Sequence, residues 1–386
     1  MERQYSFSKF LLCILVAILA VMNVFTQLMG SSAVSLAVTF LTIALFVLNN
    51  AWNELQENIH VNQIVLLFAA VIIYSFISGF IGKNYQQMLR AEVICFASLL
   101  IGSSFFYIYK KEIYIALKTF CFFITISCIY YMFTYSSLGA YGYALKNNFS
   151  PMILFSVLIL HTLRKEWFRH QAIAWIVILF QIFVIFSTDC RSVAVTTLAF
   201  IIWFGIQALR KIKSSSRNYL LGAVFIVVLI FVFRNQLSDL IYSGLRLGIL
   251  EESGAEKYSA NRIPMIINGM TLWSESVFNV VFGASSGSYV ECFYVDTLVY
   301  RGFIGLVAFV ALFIKIIKEL IYCISSTVTE YFDFSKIGLY VFIAGLMIGI
   351  FEAGAPFVQG STYFIMWFLI GTTFSCPEAG IMQKDE

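Results

Sequence analysis

Residues 171–209 read QAIAWIVILFQIFVIFSTDCRSVAVTTLAFIIWFGIQAL, and only Asp189 and Arg191 carry charge in that stretch. The flanking apolar runs, 171–187 and 192–209, each approach the roughly 20 residues a helix needs to cross a hydrocarbon layer. They are continuous rather than alternating, so they read as two spanning helices and not as strands of a membrane barrel. Between them lies only the short connector STDCRS. An acid and a base at such a boundary are costly and call for a reason.

The rest of the chain repeats the pattern. Hydrophobic residues make up 60% of the 386 and charged residues 12%, where a soluble chain carries roughly a quarter. The expectation is an all-α integral membrane protein of about twelve spans, near 10–29, 32–48, 63–82, 92–109, 113–134, 150–163, 171–187, 192–209, 218–233, 293–314, 337–352 and 361–375. The connectors YKKE, RKEWFRH, RKIKSSSRN and KIIKEL are basic and fall on one face, which the positive-inside rule makes cytoplasmic. Both termini then lie inside, and the apolar start reads as a retained first span rather than a cleaved signal peptide. The net charge of +4 follows from these connectors and implies no nucleic acid partner. Eight scattered cysteines without CxxC spacing suggest neither a disulfide framework nor a metal site. Cys190 and Cys292 read as ordinary small residues.

No repeat or linker divides the chain, so residues 1–386 form one membrane domain carrying a large external segment, 234–292. Connectors this long are functional or disordered, and this one is too apolar for disorder. In NRIPMIINGMTLW (261–273), Ile263, Ile266, Ile267, Met270 and Trp273 recur at helical spacing. Asn261 stands at the N-cap and Pro264 in the first turn. This predicts an amphipathic helix packed on the membrane-facing body. A lid without chemistry would have the same pattern.

The charges on the external face supply the candidate site. Arg191 must open the eighth helix, where a cation opposes the helix dipole. Asp189 neutralising it in a salt bridge is one reading. The other is a bound anion, held by the guanidinium and the helix amides together. Arg262 repeats the arrangement, and the two arginines suggest a phosphate or pyrophosphate site. Glu291 and Asp296 open the tenth span, where a partly desolvated carboxylate suits a general base. Glu291, at the boundary, is the favoured base. Of the two acids, one faces a cavity and the other pairs with Arg301, although i+5 is not an ideal helical spacing. An interfacial carboxylate with no role remains the alternative.

Three segments together resemble the O-antigen ligase superfamily, and within it the Wzy-type O-antigen and capsular polysaccharide polymerases. FSTDCRSVAV (186–195) resembles the family's serine-and-arginine junction opening a span. NRIPMIINGMTLW followed by VVFG (280–283) resembles the arginine, tryptophan-bearing helix and Phe-Gly segment of its large external loop. ECFYVDTLVYRGFIGL (291–306) resembles the segment with a His or Asp before aromatic residues, leucines and a Gly-x-x-Gly pair, here Gly302 and Gly305. Glu291 occupies the His or Asp position. A ligase would have His-Asn there, so the departure favours a polymerase.

The resemblance implies a GT-C-like glycosyltransferase of the bacterial cytoplasmic membrane. It would move a growing glycan from undecaprenyl pyrophosphate to a lipid-linked repeat unit outside the cytoplasm. Arg191 and Arg262 would stabilise the leaving pyrophosphate and Glu291 would take the acceptor proton. Asp189, Arg246, Asp296 and Arg301 would line the substrate. No metal or other cofactor is called for, and a chain-length regulator and a flippase are the expected partners. The rival reading is a lipid-linked saccharide transporter or flippase. Such proteins often have two similar halves and interrupted helices near the midplane, and neither is visible in the sequence.

Overall fold

The computed structural model describes residues 2–29, 31–49, 59–82, 85–108, 110–134, 142–188, 190–211, 262–284, 290–325, 329–357 and 363–373. Among these the chain forms thirteen α-helices and no strand. They are α1 (Glu2–Met29), α2 (Ser31–Leu48), α3 (Ile59–Gly82), α4 (Tyr85–Ile108), α5 (Lys110–Thr134), α6 (Gly142–Trp167), α7 (Gln171–Ser187) and α8 (Arg191–Lys211). After residues outside this description come α9 (Arg262–Ser274), α10 (Val277–Phe282), α11 (Phe293–Ser325), α12 (Thr329–Gly349) and α13 (Phe364–Thr373). The expected ninth span, 218–233, and residues 234–261 of the external segment lie outside the described residues.

Among the described residues two stretches, Gln63–Phe80 in α3 and Glu112–Thr134 in α5, are long and apolar enough to cross a membrane. Large apolar side chains stand bare on the outward faces, Phe40, Leu66 and Phe80 among them. The inside is equally apolar. An aromatic cluster of Phe68, Phe293, Phe342, Phe357 and Trp367 joins α3, α11, α12 and α13, with the Phe68 and Trp367 rings 4.9 Å apart and Phe357 and Trp367 5.1 Å apart. Trp367 Nε1 donates to Pro356 O at 3.0 Å, which fixes the connector after α12. Helix α13 is buried along its whole length. It lies against α4 so closely that a Cβ at Gly102 would sit 2.0 Å from Phe368 O, and one at Gly371 2.0 Å from Leu99 O. Small residues allow such backbone approach without a driving force from water.

Three elements differ from the sequence expectation. The sixth span is not a short 150–163 run: α6 begins at Gly142 and includes Pro151, so the polar residues up to Asn148 are its first turns and not a connector. The helix expected as the tenth span is interrupted, against the expectation of none. Gly302 adopts φ 66°, ψ −173° inside α11. The break exposes three consecutive carbonyls, and buried carbonyls need donors. Ala284 N–H donates to Val299 O at 2.7 Å, Ser78 Oγ to Tyr300 O at 2.9 Å and Tyr74 OH to Arg301 O at 2.6 Å. Gly283, at φ 94°, abuts the same break.

Third, α9 buries its apolar stripe only in part: Ile266, Met270 and Trp273 are partly buried. It packs through Gly269, with Val290 and Val299 in the space a side chain would take. Ile263 and Ile267 point outward. The contact is made where backbones approach most closely, and that is the glycine face.

Candidate active site

The side chain of Arg262, the first residue of α9, meets two acids from distant parts of the chain, and two further parts reach one of those acids. Arg262 Nε is 2.6 Å from Glu291 Oε2, and its Nη2 is 3.3 Å from Glu352 Oε1. All three side chains retain about one-seventh of their exposure, so the cluster is largely shielded yet reachable. Glu352 also accepts from Ser192 Oγ at 3.2 Å and from Asn147 Nδ2 at 3.4 Å. Cys190 Sγ lies 3.5 Å from Asn147 Oδ1 and 3.4 Å from Ser192 Oγ.

Each contributor has a local reason for its position. Glu291 sits in the bend before α11. Glu352 follows α12 in a tight connector: its N–H reaches Ile348 O at 3.0 Å, and Phe357 N–H reaches Gly354 O at 2.6 Å. The aromatic cluster under Phe357 and Pro356 anchors that connector. Ser192 is the second residue of α8, whose first turn is held by Ala194 N–H on Cys190 O at 2.9 Å. Ser150 Oγ and Thr188 Oγ1, 2.7 Å apart, tie α6 to the end of α7, so Asn147 meets the start of α8 within the same patch. Below it the buried Tyr363 hydroxyl has no hydrogen-bond partner among the described residues.

Two of the sequence-based expectations hold as positions. Arg191 is the first residue of α8 and is half-buried, and Arg262 opens α9. Arg262 and Glu291 are brought together, although 29 residues apart in sequence. Asp189 and Arg246 lie outside the described residues.

The pairing of Arg301 with an acid on its own helix is corrected. Arg301 pairs with Glu92 of α4, Nη2 to Oε1, both nearly fully buried, and its guanidinium stands 4.7 Å from the Phe309 ring centroid. The reason is helical spacing: five residues put Asp296 and Arg301 well apart around α11, and Arg301 faces α4. Asp296 is buried in the first turn of α11. It is therefore not a surface carboxylate open to substrate, and Glu291 is the more accessible of the two acids.

The sequence marks Glu352 as one of the ionisable residues on the site's face without giving it a role, and it does not single out Ser192, Asn147 or Glu92. Glu352 is the one acid of its connector, EAGAPFVQGS. Glu92 stands at the head of an apolar run, where an ionisable residue signals a partner. Nothing in the sequence marks Asn147.

Chemically, the patch offers a bidentate-capable cation beside two carboxylates, with Arg191 at the adjoining helix start. Such a set can exchange a carboxylate for a phosphate oxygen on Arg262. It can also release a carboxylate to accept a proton. No protein-family profile and no curated protein matches the chain.

Proposed function

We propose that the chain is a multi-pass membrane glycosyltransferase of the polysaccharide-polymerase type, with about twelve spans and its site on the extracytoplasmic face. The donor is a glycan on undecaprenyl pyrophosphate and the acceptor a lipid-linked repeat unit. The observation that carries this reading is the Arg262–Glu291–Glu352 cluster at the start of α9, beside the start of α8. Arginines at two helix starts suit a pyrophosphate leaving group. The carboxylates beside them suit an acceptor hydroxyl.

The chemistry then has an order. Glu291 is held by its ion pair with Arg262. A pyrophosphate that takes over the Arg262 guanidinium frees the Glu291 carboxylate to meet the acceptor hydroxyl. Glu291 takes the acceptor hydroxyl proton, the oxygen attacks the anomeric carbon, and the bond to the pyrophosphate oxygen breaks. The charge that develops on pyrophosphate falls to Arg191 and Arg262. Donor therefore binds before the acceptor is activated.

One feature favours the flippase reading, the interruption of α11 at Gly302 beside the buried Glu92–Arg301 pair. Yet the break is bonded to Ser78, two residues before the end of the apolar stretch Gln63–Phe80. That is the end of a span rather than its midpoint, where transporter half-helices meet. The test is genetic. Cells lacking the gene should accumulate single repeat units on lipid at the outer face, and the intact gene should restore the polymer ladder. Single units trapped at the inner face would support the flippase instead.

A further inference from the structure

Helices α9 and α10 form a hairpin that turns an apolar surface outward. Ile263 and Ile267, one turn apart on α9, are 42% and 58% exposed, and Val277, Phe278 and Phe282 are 82%, 50% and 42% exposed. These side chains are not on a loose loop. Trp273 Nε1 donates to Val280 O at 3.2 Å, and Asn279 Nδ2 to Leu272 O at 3.0 Å. Ser276 Oγ accepts from Asn279 N–H at 3.0 Å and caps α10. The hairpin is thus a fixed scaffold, and its inner side is set by Gly269.

Its charges lie at its two extremes. Arg262 turns inward to Glu291 and Glu352, and Glu275 is exposed at the corner between the helices. A helix facing water carries its polar residues on the outer side. Here Asn268, Thr271, Ser274 and Ser276 are exposed beside Glu275, but Ile263, Ile267, Val277, Phe278 and Phe282 stand bare as well, and that much exposed apolar surface marks an interaction site. The surface is also continuous with a span. Ser78 of α3 bonds Phe282 O and Tyr300 O. Its neighbours Ile77 and Phe80 are exposed, as are Phe303 and Ile304 just past the break in α11. The same coat must cover all of them. Because Gln63–Phe80 is long and apolar enough to cross a membrane, that coat is lipid.

We infer that α9 and α10 lie in the headgroup–acyl boundary of the bilayer on the site side, with Ile263, Ile267, Val277, Phe278 and Phe282 against acyl chains and Glu275 in headgroup water. Arg262 is then held at headgroup depth by its own helix. The anion its cluster accepts arrives sideways, as the headgroup of a lipid, and not from bulk water. This rests on the membrane reading of α3 and deepens the proposed function.

The test is depth measurement in proteoliposomes of phosphatidylethanolamine and phosphatidylglycerol. A nitroxide is attached through an encoded bioorthogonal residue, so the native cysteines stay intact, at 267, 277, 278, 275 or the α3 reference 66. All five side chains are exposed, and of these only Phe278 has a ring contact, with the equally exposed Phe282. Relaxation by oxygen, which partitions into lipid, is compared with relaxation by an aqueous nickel chelate. The expected result is oxygen-favoured relaxation at 267, 277 and 278, as at 66, shifting to nickel-favoured relaxation at 275. Nickel-favoured labels at 277 and 278, with 66 still oxygen-favoured, would overturn the inference and leave the membrane reading standing. A nickel-favoured label at 66 would overturn both. Exclusion of both reagents, with dipolar broadening between labels on two copies, would assign the surface to a second protein and also overturn it. The readout does not depend on turnover. Oxygen-favoured labels in a protein that forms no polymer would sink the proposed function and not this inference.

Discussion

Replacing Arg262 by methionine keeps much of its aliphatic length and removes the cation between Glu291 and Glu352. In the parent protein these carboxylates contact the same guanidinium at 2.6 and 3.3 Å. Without it, two charges on the order of 6 Å apart at an effective dielectric near 20 repel by about 3 kcal/mol. The variant should therefore be less stable at neutral pH by about that amount. It should recover as pH falls and one of the pair takes a proton. The direction follows because the penalty exists only while both acids are charged. Adding Glu291→Gln removes one of the charges and should restore stability at neutral pH. Polymer formation should not return in the double variant, since both the pyrophosphate ligand and the base are gone. The assay is thermal unfolding in detergent across pH, run beside the polysaccharide ladder at matched membrane abundance. Equal stability of parent and Arg262→Met at all pH values would refute the bridging role. A normal ladder from the double variant would refute the catalytic one.

Further expectations concern single positions. Arg191→Lys should lose polymer nearly as completely as Arg191→Ala, because lysine keeps the charge and loses the bidentate fork; a normal ladder with lysine would rule that geometry out. Glu291→Gln should lower the polymerisation rate by roughly 10²- to 10⁴-fold with normal binding of lipid-linked repeats, whereas Asp296→Asn should be milder; the reverse ranking would move the base to the buried acid. Glu92→Gln strands Arg301, and breaking a buried pair this way costs about 3–5 kcal/mol, so unfolding should shift more than in the double change Glu92→Gln with Arg301→Met. Gly302→Ala puts a side chain at φ 66° and 2.3 Å from Val281 O, and the strained backbone alone costs about 1–3 kcal/mol. Gly205→Ala meets nothing within 4 Å and should be neutral, so equal membrane levels of the two would contradict the interlocked break.

What the sequence made legible, and what it hid, divides along physical lines. Arg191 and Arg262 could be read as helix starts, because a charge at the edge of an apolar run and a proline in a first turn are local signals. Their neighbours could not. Asn147 and Glu352 reach the cluster through the packing of α6 and α12, and no local pattern encodes that. Glu92 was detectable as an ionisable residue in an apolar run, but its partner is far along the chain on α11. The break at Gly302 was hidden because Gly-x-x-Gly in an apolar stretch also describes ordinary close helix packing. The stripe Ile263–Trp273 announced an amphipathic helix. It did not say whether lipid or protein would lie against each part of it, since both are apolar.

In the proposed reaction this cluster joins lipid-linked saccharides. The most direct measurement is reconstitution of the purified protein in liposomes with undecaprenyl-pyrophosphate-linked repeat units on the site side, followed by mass analysis of the lipids. The account predicts lipid-linked dimers and longer chains, one undecaprenyl pyrophosphate released for each new linkage, and neither product from the Arg262→Met variant. Repeat units that remain single, whether left in place or carried unchanged to the other leaflet, would contradict it.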